Sequence, residues 1–69
     1  MRKVIVIAGS IEQFHRYLRE NNLSEEDAVY ASRAEKILGV EASEVVAYGT
    51  YYERKDHHKL MELALTRIK

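Results

Sequence analysis

Val4-Ile5-Val6-Ile7-Ala8, followed at once by Gly9-Ser10-Ile11-Glu12-Gln13, is the stretch that decides the fold. A continuous apolar run rich in β-branched residues, rather than one alternating with polar residues, is the pattern of a strand covered on both faces. The spacing predicts a central strand that ends at Gly9-Ser10. Ser10 with Gln13 three residues on makes a capping-box pattern for a helix whose apolar positions Ile11, Phe14 and Leu18 recur at helical spacing. That helix is expected to run to Glu20 or Asn22. Asn21-Asn22 suits its end because Asn tolerates left-handed backbone, and Leu23 then packs back as the chain turns through Ser24-Glu25-Glu26-Asp27.

Working outward, Ala28-Val29-Tyr30-Ala31 reads as a second strand, and Ser32 with Glu35 repeats the cap pattern before a brief helix closed by Gly39. Ala42-Ser43-Glu44 leads into a third strand, Val45-Val46-Ala47-Tyr48, which stops at Gly49-Thr50. Asp56 is the expected N-cap of a last helix carrying Leu60, Met61, Ala64, Leu65 and Ile68 on one stripe. Strands alternating with helices imply a parallel sheet with right-handed crossovers. With the first strand central the order is 2-1-3, the opening half of a doubly wound, flavodoxin-like or Rossmann-like α/β sheet, βαβαβα, with helices on both faces. A 1-2-3 order is the alternative, and it leaves one apolar face bare.

Sixty-nine residues make one domain, residues 1–69. A chain so short buries only roughly 60% of the surface it exposes when unfolded, so its core is thin and a homodimer is expected in preference to a monomer. Eleven Lys and Arg balance eleven Asp and Glu, which removes the global attraction to nucleic acid or anionic lipid. The absence of cysteine excludes disulfides, thiolate metal sites and a thiol nucleophile. The apolar run at Val4–Ala8 is too short for a signal-peptide core or a membrane span, so a soluble, cytoplasmic protein without membrane contact is expected.

In open parallel sheets ligands bind beyond the carboxyl ends of the strands. The residues arriving there are Gly9 and Ser10, Ser32 and Arg33, and Gly49 and Thr50, and they are the candidate anion-binding or nucleotide-binding set. The same residues are what strand-to-helix turns need for tight geometry and capping. A lone Gly9 supplies neither the dinucleotide fingerprint nor a P-loop, and Glu12 would repel an anion, so no cofactor is expected. Tyr51, Tyr52 and Arg54 form the candidate interaction patch. Protein contact is favoured over single-stranded nucleic acid there because Glu53 and Asp56 dilute the charge and no basic stripe continues. His57 and His58 are adjacent, about 100° apart on a helix, and cannot chelate together, so no metal is expected. Ser10 or Ser32 can be paired with His57 on paper, yet no spacing selects that arrangement over capping, and a non-enzymatic role is expected.

Val4–Gly9, Gln13-Phe14, Tyr17–Asn21, Ala28–Ser32 and Gly49–Arg54 together resemble small α/β proteins encoded by bacteriophages, to which no activity is assigned. The resemblance covers nearly the whole chain. It implies an interaction module whose partner is a host or viral protein, acting in the host cytoplasm.

Overall fold

The computed structural model describes residues 3–68. Its elements are β1 (Lys3–Ala8), α1 (Ile11–Glu20), β2 (Ala28–Tyr30), α2 (Ala34–Ile37), β3 (Ala42–Tyr48), a 3₁₀ turn (Tyr51–Glu53) and α3 (His57–Leu65). The three strands are parallel in the order β2-β1-β3, so the 2-1-3 order holds and the 1-2-3 alternative does not. Among the described residues no helix is long and apolar enough to cross a membrane.

Central placement explains the composition of β1. Ile5, Val6, Ile7 and Ala8 have no exposed surface at all. Ile5 and Ile7 point to one face, where Ile37 of α2 and Leu60 and Ala64 of α3 meet them. Val6 and Ala8 point to the other, against Phe14, Tyr17 and Leu18 of α1. Each fully buried Val, Leu or Ile side chain contributes roughly 1.5–3 kcal/mol. Right-handed crossovers in opposite directions from a central strand put α1 on one face and α2 on the other, and α3 joins α2.

The first helix is bounded as its sequence predicts. Ser10 is extended and its hydroxyl accepts the Gln13 N–H at 3.3 Å. At the far end Asn22 is left-handed with φ of 55°, Leu23 N–H donates to Leu18 O at 2.8 Å and Asn22 N–H to Arg19 O at 3.3 Å. This pair of bonds satisfies the last carbonyls, while Leu23 packs on the α1 side of the core. Burial, reinforced by the nearby Glu44 carboxylate, pushes the Tyr17 hydroxyl above its ordinary pKa.

Four local expectations are corrected. The third strand begins at Ala42 and not Val45, with an irregularity opposite Lys3 and Val4 that leaves Ser43 and Glu44 exposed. Arg33, not Ser32, holds the N-cap position of α2, and no side chain caps that helix. Asp56 does stand at the N-cap of α3 without a capping hydrogen bond; its carboxylate turns to Arg54 at 3.2 Å instead. The apolar stripe of α3 is only half used, because Leu65 and Ile68 remain 54% and 42% exposed. The helix stops at Leu65, and the following turn brings Arg67 O to Ala42 N–H at 3.0 Å, with Ile68 bridged in parallel to Ala42.

Candidate functional site

The carboxyl ends of the strands form a rim from Gly9-Ser10, Ala31-Ser32 and Gly49-Thr50, and the structure closes that rim from within. Between β1 and β3 the closing residue is Gln13. Its Oε1 accepts two backbone N–H groups, from Gly9 at 2.9 Å and from Thr50 at 3.0 Å, and its Nε2 donates to Thr50 Oγ1 at 2.9 Å. In a capping box the Gln at the third helical position reaches back to the N-cap N–H; here it reaches one residue further and ties two strand ends together.

The glycines belong to this arrangement. A Cβ at Gly9 would stand 2.1 Å from Thr50 Oγ1 and 2.8 Å from Gln13 Oε1. A Cβ at Gly49 would stand 2.2 Å from the same Oε1, and Gly49 also has a positive φ of 65°. Two side-chain-free positions let one amide approach both strand ends.

Between β1 and β2 the closing residue is Arg54. One guanidinium nitrogen donates to Ala8 O at 3.2 Å and to Ala31 O at 2.7 Å, and the other terminal nitrogen donates to Ser32 O at 2.8 Å. Asp56 accepts from the remaining side of the fork, and the Arg54 side chain is only 14% exposed. The guanidinium also lies 5.9 Å from the centre of the Tyr30 ring. A planar five-donor group is suited to collecting several carbonyls in this way.

The candidate residues therefore separate. Gly9, Gly49 and Thr50 are brought together around Gln13, and Ser10 caps α1. Ser32 contributes its backbone carbonyl to Arg54, and Arg33 is exposed at the start of a four-residue helix. Tyr51 is half-buried against the core, with its ring edge-on to Tyr52 at 5.6 Å and to His57 at 5.9 Å. Tyr52 is 61% exposed and is the most exposed large apolar side chain of the described residues. His57 Nδ1 lies 2.7 Å from Arg54 O, so it donates there and fixes the backbone that carries Arg54. Ser10 and Ser32 have no hydrogen bond to His57. Among the described residues no group of three His, Cys, Asp or Glu is placed to hold a metal ion.

Two surface grooves lie away from the rim. One is lined by Lys3, Gly39, Val40 and Glu41 at the amino ends of the strands, the other by Lys59, Glu62, Leu63 and Thr66 on and beside α3. Sequence reading missed Gln13 and His57 as builders of the rim. The only signal was the pairing of Gly9-Ser10 with Gly49-Thr50 at two strand ends, four and thirty-seven residues from a Gln able to hydrogen-bond in both directions. Comparison with protein-family models, with curated proteins and with solved structures finds no match.

Proposed function

We propose that this chain is a small non-enzymatic interaction module that binds a protein partner through the carboxyl rim, with Tyr52 as the anchor, and that also binds itself. The observation that carries the reading is the contrast at the rim between engaged polar groups and an open aromatic. The Gly9 and Thr50 N–H groups already donate to Gln13, and the Ala8, Ala31 and Ser32 carbonyls already accept from Arg54, while Tyr52 is 61% exposed beside them. Anion or nucleotide capture at a strand-end rim requires free donors, so the internal bonds weigh against that alternative. An exposed tyrosine on a rigid rim is the kind of group that anchors protein interfaces. With Arg54 turned inward, the contact surface rests on Tyr52 and its edge-on neighbour Tyr51. A thin core is what favours self-association in a chain of this length. The likeness to phage-encoded proteins fits a host or viral protein as partner and the cytoplasm as the place of action.

The test is paired. A thermal-shift panel of nucleotides and inorganic phosphate is expected to leave the melting temperature unchanged; a saturating ligand would add about 2.7 kcal/mol at a hundredfold over its Kd and would replace the proposal with the anion-binding one. Affinity capture with wild type and Tyr52→Ala in parallel is expected to show a specific protein lost from the variant. Identical capture by both refutes the role of Tyr52.

A further inference from the structure

The two edges of the sheet differ in what they leave unpaired. Val4 N–H donates to Asp27 O and Ala31 N–H donates to Val6 O, so Val4 and Val6 face β2. By alternation along the strand, Ile5 and Ile7 face β3, where they stand opposite Val45 and Ala47. A parallel ladder bonds each such residue to the two neighbours of its partner, here Glu44, Val46 and Tyr48. The N–H and C=O groups of Val45 and Ala47 are thereby turned outward. Among the described residues, pairing on that outer side is confined to Ala42, where Ile68 bridges.

We infer that β3 pairs antiparallel with β3 of a second copy about a two-fold axis at Val46, joining two three-stranded sheets into one of six strands. The inference rests on the self-association named above and assigns its surface. In this register Val45 lies opposite Ala47 of the other copy, twice over, and each pair exchanges both of its backbone bonds. The outward groups of one copy are the complement of those of the other.

The surroundings fit a second copy. Glu44 lies opposite Tyr48 of the other copy and not opposite a second Glu44, so no like charges oppose each other directly. From Ser43 to Tyr48 the edge carries none of the Lys, Arg or Pro residues that commonly block strand addition. The Ala42 end is already taken by Ile68, so room remains beside Ser43–Tyr48 alone. The incoming β3 fits that room because it turns away at Gly49, whose φ is 65°, before reaching Ala42. β2, at the opposite edge, has only three residues and offers no comparable length.

Light scattering over a concentration series, with amide hydrogen exchange of the full chain at its two ends, tests this directly. The mass is expected to rise from one chain to two, and the Val45 and Ala47 amides to slow by about tenfold or more in the dimer. Ala47→Pro removes an outward donor and no bond to β1, so it is expected to keep the circular dichroism of the wild type and to remain at the mass of one chain. A wild-type monomer at every concentration overturns both the self-association and its edge. A dimer in which Val45 and Ala47 exchange as fast as in dilute solution, or one that survives in folded Ala47→Pro, overturns the edge alone. Should Ala47→Pro fail to fold, wild-type exchange decides by itself.

Discussion

The two halves of the carboxyl rim are closed by different chemistry: a cation gathers three carbonyls between β1 and β2, and a neutral amide joins two N–H groups and a hydroxyl between β1 and β3. The difference follows from what each half has to satisfy. Where the surplus is acceptors, only a group with many donors serves; where the surplus is donors, one oxygen able to accept twice is enough. Both halves end with their backbone groups paired and with little left for a small ligand.

Arg54→Met is the most damaging change to the rim. It leaves three carbonyls without their donor at a half-buried site and removes charge-assisted bonds, and a loss of about 3 kcal/mol is expected in urea denaturation. Arg54→Lys should recover only part of it, because a single ammonium cannot reproduce the fork. Gly49→Ala comes next, at about 2 kcal/mol, from the positive φ together with the collision with Gln13. Gly39 is its control. Its φ is 79° but nothing lies within 4 Å of a Cβ there, so Gly39→Ala should cost only the conformational share, about 1 kcal/mol.

Gln13→Ala is expected to cost about 1.5 kcal/mol, since the Gly9 and Thr50 N–H groups lose one shared acceptor but remain within reach of water. In the Gln13→Ala background Gly49→Ala should fall to the cost of Gly39→Ala, and a double-mutant cycle that proves additive would show that Gln13 and Gly49 do not constrain each other.

The smallest effect is electrostatic and lies outside the rim. The Ser24 backbone N–H and hydroxyl both donate to the Asp27 carboxylate, at 3.0 and 2.9 Å, and with Lys3 nearby they hold it below the ordinary carboxylate pKa. A depressed folded pKa contributes stability above the unfolded value and loses it as pH falls through the folded one. Asp27→Asn should therefore lower the melting temperature slightly at neutral pH, where the ionised carboxylate contributes, and flatten the acid limb so that variant and wild type converge below about pH 4. An unaltered acid limb would deny the bond its role.

The parts of this fold that were legible from sequence are those fixed by local pattern or by burial on two faces. Val4–Ala8 announced a central strand because every one of its side chains except the first is sealed, and Ser10, Gln13, Asn22 and Leu23 carry the boundaries of α1 in their own chemistry. The start of β3 was hidden because Ser43 and Glu44 lie on an edge where solvent, not a neighbouring strand, decides composition. The rim was legible in its residues but not in its wiring. Arg54 sits in a run of aromatic and charged residues that reads as exposed, and only the folded sheet brings it to carbonyls 22 to 46 residues earlier in the chain. Ser32 was read as a cap because its spacing to Glu35 allows it, whereas a tight turn, with Ser32 N–H on Tyr30 O at 2.8 Å, shifts the helix start by one residue.

The sequence separation of these bonds bears on how the molecule assembles. Gln13 meets Thr50 across 37 positions and Arg54 meets Ala8 across 46, so neither bond can form until β3 has docked beside β1. We expect them to form late, after the strands have come together. Substitutions at Gln13 and Arg54 are therefore expected to speed unfolding while leaving refolding rates near those of the wild type, whereas truncation of Ile5 or Val6 is expected to slow refolding. On this account the rim is the last part of the fold to close.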